Sequence, residues 1–270
     1  MDLGLRDRVA VVTGASRGIG LSTARMLCSE GARVLLVART ERDVVEAADE
    51  CMQAGAEVGG AAESLACDVT EPDAAERIAA AAEDRFAPAD ILVNNAGHAR
   101  WRDLDDVPDR DWQAAWEVNV MAPLRLMRAL VPGMEERGWG RVVNVASTSG
   151  KRPSALMPEY SVAKSAELSL SRLYADRCAA TGVLVNAVCP GPTKSEMWMD
   201  PGGLLDQSKE IGGHDTREQA LDAAGDKRPI GRLAEVEEVA SVIAFLCSEQ
   251  ASYVAGAAWS VDGGTVQVIL

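Results

Sequence analysis

Tyr160 and Lys164 stand four residues apart in the run Tyr160-Ser161-Val162-Ala163-Lys164. On a helix that spacing puts both side chains on one face. A tyrosine phenol ordinarily titrates near pH ~10 and is a poor acid or base at neutral pH. An ammonium group beside it favours the phenolate and brings the phenol into the range of useful proton transfer. The composition of the chain gives this pair weight. Only two of its 270 residues are histidine, which leaves little room for imidazole-centred acid–base chemistry or for His-rich metal sites. Taken alone, Tyr-x-x-x-Lys also describes an ordinary amphipathic pair on many surface helices, so the assignment depends on what accompanies it.

The first companion is Thr13-Gly14-Ala15-Ser16-Arg17-Gly18-Ile19-Gly20, directly after the apolar run Val9-Ala10-Val11-Val12. Glycines in such a loop allow a tight turn and a close backbone approach, and the helix that follows presents free N–H groups to a phosphate. Three residues separate Gly14 from Gly18, so the spacing is not the common G-x-G-x-x-G. In a dinucleotide site, an Asp or Glu about 20 residues further on would accept hydrogen bonds from the ribose 2′-hydroxyl of NAD. Here that position reads Ala38-Arg39-Thr40, with a second guanidinium at Arg17 inside the loop. Two cations and no acid suit a 2′-phosphate, which arginine holds with a charge-assisted fork. NADP(H) is therefore expected in preference to NAD(H).

The overall charge narrows the partners. Lys and Arg number 27 against 41 Asp and Glu, a net charge of −14, which argues against nucleic acid because neutralising phosphates requires a basic face. Cys28, Cys51, Cys67, Cys178, Cys189 and Cys247 are scattered without a Cys-x-x-Cys pair, so no zinc knuckle or redox dithiol is expected. No apolar stretch approaches the ~18 residues of a spanning helix, so no membrane partner is expected either. Met1 to Asp7 holds no basic segment followed by a long apolar run. The expectation is a reduced cytosolic protein with six inert thiols.

Positioning the chemistry requires strands and helices in alternation, and the sequence supplies them. Val9–Val12, Arg33–Val37, Ile91–Val93, Val142–Val145, Val183–Val188 and Trp259–Val261 read as strands. Helices are expected over Gly18–Glu30, Glu41–Ala54, a stretch ending at Arg85, Asp109–Arg137, Pro158–Ala180 and Glu235–Cys247. Thr40 and Thr70, each with an acid three residues on, resemble capping boxes. The strands are continuous apolar runs, as expected for a mostly parallel sheet covered on both faces by helices. No linker divides the chain, so residues 1–270 read as one α/β domain. The irregular region from about 192 to 229 is expected to form a lid over the substrate.

With these residues in order, the chain resembles the short-chain dehydrogenases/reductases over nearly its whole length, and is similar to their 3-oxoacyl reductase-like members. The family's Thr-Gly-x-x-x-Gly-x-Gly is matched by Thr13, Gly14, Gly18 and Gly20, and its Asn-Asn-Ala-Gly by Asn94-Asn95-Ala96-Gly97. Asp68-Val69 matches the adenine-contacting pair, and Pro190-Gly191 with Thr193 matches the segment at the nicotinamide end. Val261-Asp262-Gly263-Gly264 looks like the C-terminal signature. The resemblance implies a doubly wound, seven-stranded Rossmann sheet. It also implies a catalytic set of Asn119, Ser147, Tyr160 and Lys164. Ser147 is chosen over Ser149 because it lies thirteen residues before the Tyr. The implied dinucleotide contacts are Gly14, Ser16, Arg17, Gly18, Ile19, Gly20, Arg39, Asp68, Val69, Asn95, Ala96, Gly97, Tyr160, Lys164, Pro190, Gly191 and Thr193. No metal is required. In the implied reaction a hydride passes between NADP(H) and a ketone or secondary alcohol. Tyr160 exchanges the proton, Ser147 holds the oxygen, Lys164 binds the nicotinamide ribose, and Asn119 holds a water. Homotetramers pairing through the helices 109–137 and 158–180 are implied as well.

Two other functions compete with a small-molecule carbonyl or alcohol reductase. One is a 3-oxoacyl-thioester reductase acting on carrier-protein or coenzyme A substrates. The basic residues expected at a carrier docking face are replaced by Gly138 and Thr181, although Arg137 and Arg141 are close. The other is a dinucleotide-sensing protein without catalysis, which the complete Tyr/Lys/Ser set disfavours. His98 and His214 read as loop residues, and Cys189 as a buried core thiol. Trp112 and Trp116 read as the packed face of a helix, and Met197, Trp198 and Met199 either as an apolar wall or as the seat of the lid.

Overall fold

The computed structural model describes residues 2–267. Seven strands form one sheet in the order β3-β2-β1-β4-β5-β6-β7. They are β1 (Val9–Thr13), β2 (Arg33–Ala38), β3 (Ala61–Ala66), β4 (Ile91–Asn94), β5 (Gly140–Val145), β6 (Val183–Pro190) and β7 (Ala258–Val261). Every neighbouring pair is parallel. The sheet is thus wholly parallel where the sequence required only a mostly parallel one. β3 carries a plain Ala-Ala-Glu-Ser-Leu-Ala sequence, which explains why no periodic signal announces it.

Successive residues of a strand point to opposite faces, and both faces are buried. Ala10, Val12, Val34, Leu36 and Val143 pack on one side. There they meet Leu27 of α1 (Gly18–Ser29), Val44 of α2 (Glu41–Gly55) and Ile243 of α11 (Val236–Cys247). Val9, Val11, Leu35, Leu92 and Val185 pack on the other side. Their partners include Ile78 of α3 (Ala74–Arg85), Met127 of α5 (Ala122–Glu136) and Tyr174 of α7 (Pro158–Cys178).

The strand order reverses between β1 and its neighbours β2 and β4, and in open α/β sheets such a switch point opens a crevice at the carboxyl ends of the strands. This crevice is held by side chains. Thr13 Oγ1 accepts from the backbone N–H of Asn95 (3.0 Å) and of Ala96 (3.1 Å). Asn95 Nδ2 donates back to the carbonyls of Thr13 (3.0 Å) and Gly14 (3.1 Å). A Cβ on Gly20 would lie 2.3 Å from the Gly14 carbonyl oxygen, so only glycine lets α1 start this close to β1.

Several local expectations are corrected. Thr40 precedes α2 without a side-chain cap bond. Thr70 donates its N–H and its hydroxyl to Asp68 Oδ1, at 3.0 and 2.7 Å, and α3 begins four residues later behind Asp73. Reciprocal capping boxes form instead at Thr216 with Gln219 and at Glu235 with Glu238. The stretch 109–137 is α4 (Asp109–Trp116), a π-helical turn (Glu117–Met121) and α5 in unbroken succession. The segment 192–229 is not irregular, since it folds into α8 (Glu196–Met199), α9 (Leu204–Gly212) and α10 (Arg217–Asp226) around its own small core of Trp198, Leu204, Leu205, Ala220, Ala224 and Leu233. All six cysteines are buried and free of disulfides.

Candidate active site

β5 ends at Val145, and the chain turns through Ala146 into α6 (Thr148–Lys151). Ser147 caps that short helix, its Oγ accepting from the Ser149 N–H at 3.0 Å. This bond orients the Ser147 hydroxyl, with the Ser149 N–H as its donor. Pro158 occupies the first turn of α7, where its fixed φ is favourable and its missing N–H costs nothing. α7 then presents Tyr160 and Lys164 one turn apart. The Lys164 ammonium lies 5.7 Å from the centre of the Tyr160 ring. Ser147, Tyr160 and Lys164 all line one cleft of about 570 Å³.

Lys164 is 2 % exposed and must be held by acceptors. Its Nζ donates to the Val145 carbonyl oxygen and to Glu167 Oε2, each at 2.8 Å. Glu167, 1 % exposed, is the unforeseen member of the site. It lies three residues beyond Lys164, a helical neighbour position, and an acid at that offset was the readable signal. Burial on its own would lower the Lys164 ammonium, but the charges of Glu167 and Tyr160 and the hydrogen bond it donates to Glu167 hold it above its ordinary value. Burial pushes the Glu167 carboxyl up to about 7, with Lys164 pulling the other way.

The π-helical turn carries Asn119 into the interior behind the cleft. Such turns leave a widened backbone and recur at functional sites. Asn119 Nδ2 donates to the Ala115 carbonyl at 2.8 Å, while its Oδ1 is buried without a partner. Gly97 separates Asn119 from Lys164: a Cβ there would lie 3.2 Å from Asn119 Oδ1 and 3.7 Å from Lys164 Nζ. The unpartnered oxygen and the missing side chain leave a small polar space beside the ammonium.

Ile19, Asn95, Gly97, Pro190, Gly191 and Thr193 join Ser147, Tyr160 and Lys164 in lining the cleft. Gly14, Ser16, Arg17, Gly18, Gly20, Arg39, Asp68, Val69 and Ala96 lie outside it, on the loops after β1, β2, β3 and β4 and in the first turn of α1. α1 begins at Gly18 with no side-chain cap and no acid in its first turn, and Gly14 and Gly18 take φ of +63° and +60°. Donors without side-chain caps beside a glycine cradle fit an anionic group. Burial would raise the Asp68 carboxyl, but the Thr70 N–H and hydroxyl, with Arg39 nearby, hold it below its usual range. Arg17 is not free: it pairs with Asp200 of the 192–229 segment at 3.1 Å.

The remaining expectations divide. His98 is exposed and outside the cleft lining. Burial pushes the Cys189 thiol up to about 11, in keeping with an inert residue. Met197 and Trp198 line the cleft and also pack in the segment's own core; Met199 packs in that core without reaching the cleft. The Trp112–Trp116 reading is corrected, because Trp116 is exposed, while Trp112 borders a separate hollow of about 400 Å³ with Leu104, Pro153 and Val162. Among the described residues no cluster of His, Cys, Asp or Glu is arranged to hold a metal.

A wholly parallel Rossmann sheet with Ser, Tyr and Lys converging at its switch-point crevice defines a dinucleotide-dependent oxidoreductase fold. The profile of the short chain dehydrogenase family matches residues 8–202. The chain belongs to that family. A 3-oxoacyl-[acyl-carrier-protein] reductase of Vibrio cholerae is 33% identical, covering 98% of this chain and 100% of its own. A putative ketoacyl reductase of Streptomyces coelicolor is 36% identical over 96% of this chain and 97% of its own. Among solved structures, L-sorbose reductase from Gluconobacter frateurii, complexed with NADPH and L-sorbose, superposes with a TM-score of 0.91 at 36% identity, with both chains fully covered.

The Glu167 carboxyl sets a pH dependence that can be measured without substrate. Its value rises from an ordinary 4.5 to about 7 on folding, so the native chain retains a proton that the unfolded chain has released across that window. The unfolded state then binds fewer protons, and the contribution of this group to stability falls as pH rises from about 4.5 to 7. Glu167→Gln removes the titration. The Tm of the parent relative to the variant is expected to decline across that window in differential scanning calorimetry. A constant difference between the two would contradict the assignment.

Proposed function

We propose that the protein is an NADP(H)-dependent reductase of ketones, or dehydrogenase of the corresponding secondary alcohols, with Tyr160 as its proton carrier. The observation that carries this reading is the convergence of Ser147, Tyr160 and Lys164 on one cleft, with the ammonium 5.7 Å from the phenol ring. When bound, the nicotinamide supplies or accepts the hydride. The protein's part is to bind the carbonyl, orient it and manage one proton. The Ser147 hydroxyl, held by its bond to the Ser149 N–H, is placed to hydrogen-bond the substrate oxygen and stabilise the alkoxide as it develops. Tyr160 gives its phenolic proton to that oxygen, and the Lys164 ammonium stabilises the phenolate left behind. Asn119 Oδ1 and Lys164 Nζ face the space beside Gly97, which suits a water passing the next proton inward.

Gly14, Ser16, Gly18, Ile19 and Gly20 would cradle the dinucleotide phosphates at the start of α1. Asp68 and Val69 would flank the adenine, and Asn95, Ala96, Gly97, Pro190, Gly191 and Thr193 the nicotinamide half. Arg39 supports NADP(H): it is exposed at the end of β2, forms no ion pair among the described residues, and has no acid in the place where NAD would need one. Arg17 serves the same phosphate on exchanging Asp200 for it. The segment 192–229 acts as the lid of a single catalytic domain working in the cytosol.

A 3-oxoacyl-thioester reductase is the second reading, favoured by the two reductase relatives. The surface near Gly138 speaks against docking of an acidic carrier there. Arg137 is engaged by the Ala89 carbonyl and Asp90, and Arg141 is buried against Trp139 and Glu249. The chain is expected to act as a homotetramer, since Trp116, Val162 and Leu173 leave α4 and α7 with exposed apolar side chains. A monomeric mass in light scattering would refute that assembly.

Tyr160→Phe is expected to lower kcat for ketone reduction by roughly 10²–10⁴-fold, the range of a lost general acid, while NADPH still binds. Turnover equal to the parent would overturn the mechanism. Arg39→Ala is expected to weaken NADPH by roughly ten- to hundred-fold, the size of a charged hydrogen bond of about 1.5–3 kcal/mol, and to leave NADH nearly unaffected. A parent enzyme that prefers NADH would overturn the cofactor assignment.

A further inference from the structure

The cleft is lined by three charged side chains, Arg152, Lys164 and Arg228, and all three are cations. Among the described residues no Asp or Glu lines it, in a chain whose acids outnumber its bases by 41 to 27. Lys164 is answered by Glu167. Arg228 is not answered. Its Nη1 donates to the Ala224 carbonyl, its Nε is buried without a partner, and among the described residues no carboxylate lies within ion-pair reach. Its neighbours in sequence behave differently. Arg217 pairs with Asp206, and Arg232 holds Glu238 through two bonds of 2.7 Å. Burial lowers the Arg228 guanidinium with no charge opposing it. A half-buried cation without a counter-charge is costly unless a ligand brings one.

We infer that Arg228 receives an anionic group of the substrate, and that the protein acts on oxo acids, ketones that carry a carboxylate or similar anion beside the reacting carbonyl. This inference rests on the reductase reading above. Two sources of anion share the same chemistry, the substrate and the phosphates of the dinucleotide. The position of Arg228 favours the substrate. It lines the same cleft as Ser147 and Tyr160, together with Trp101, Met157 and Trp198. The anion cradle proposed for the dinucleotide, Gly14, Arg17, Gly18 and Gly20 with Arg39 nearby, lies outside that lining. In the reaction the keto carbon takes a hydride from NADPH, its oxygen takes the Tyr160 proton, and a hydroxy acid and NADP⁺ result. The anion itself is unchanged and serves as the handle that Arg228 grips.

The test compares matched ketones differing only in charge, acetoacetate with its methyl ester and 4-oxopentanoate with its methyl ester, on the purified full chain. The acids are expected to exceed the esters in kcat/KM by at least about tenfold, the value of one charged hydrogen bond. In Arg228→Met that ratio is expected to collapse toward one, with Arg228→Lys keeping part of it. Esters preferred by the parent, or neutral ketones accepted while both acids are refused, would overturn the inference and leave the reductase reading standing. A rise in KM for NADPH in Arg228→Met, with acids and esters falling together, would assign the guanidinium to the cofactor and also overturn it. Binding is read independently of turnover from the fluorescence of Trp101 and Trp198, which line the cleft. Butanoate is expected to perturb the parent and not Arg228→Met, with butanamide silent in both. If no ketone oxidises NADPH the reductase reading fails, while the tryptophan titration still decides whether Arg228 binds a carboxylate. No response of the parent to butanoate counts against it.

Discussion

An ammonium group in a protein interior persists only where acceptors replace the water it has lost. Lys164 is such a group, and much of the architecture serves it. β5 must end at Val145 so that the last carbonyl of the strand points at Nζ, and α7 must pass close enough to bring Glu167 onto the same nitrogen. Gly150 shows how close that passage is, since a Cβ there would lie 2.9 Å from the Lys164 carbonyl. Gly97 leaves the third side of the ammonium open toward Asn119. Packing and electrostatics therefore point to one result, a fixed positive charge one helical turn from a phenol.

That charge is useful only because the sheet places it at the switch point. A wholly parallel sheet aligns every carboxyl end on one edge, so the loops after β1, β4, β5 and β6 meet around one cleft. The Thr13–Asn95 bonds lock the loop after β1 to the loop after β4. Buried Asn94 and Asn144, in register on β4 and β5, are joined by a bond of 2.8 Å. Polar side chains in the middle of an apolar sheet cost desolvation, and here each is spent fixing the distance between neighbouring strand ends.

What the sequence made legible and what it hid follow from the range of the forces involved. The strand–helix alternation, Tyr160 with Lys164 and the glycine loop are local patterns, each readable from a few neighbouring residues, whereas Ser147 lies thirteen residues before Tyr160 and its choice rested on the family resemblance. β3 was missed because alanine and serine carry no periodicity, although β2 pairs with it along six residues. The caps at Thr40 and Thr70 failed because a competing acceptor, Asp68, took the Thr70 hydroxyl and because Thr40 makes no side-chain cap bond. The helices inside 192–229 were hidden by glycines and mixed charge. Their hydrophobic partners, Trp198, Leu205, Ala220 and Leu233, come from separate turns and meet only in three dimensions. Glu167 could have been read, since an acid three residues from a helical lysine is a standing offer of a partner. Its burial could not, because that depends on the strands α7 packs against.

The same distinction separates the charge of the whole from the charge of the site. A total of −14 describes a surface dominated by acids, and long-range steering would repel an anion approaching in dilute salt. At physiological ionic strength that field fades over about 8 Å, so the groups lining the cleft govern what is held there. Within it the sign is reversed: among the described residues the acids that balance Arg217 and Arg232 do not pair with Arg228, and Glu167, the carboxylate paired with the Lys164 ammonium, is not part of the cleft lining. An acidic exterior with a cationic cleft is thus not a contradiction in one chain. An acidic exterior repels polyanions, whereas a cleft lined by Arg152, Lys164 and Arg228 favours a small anion once it is inside.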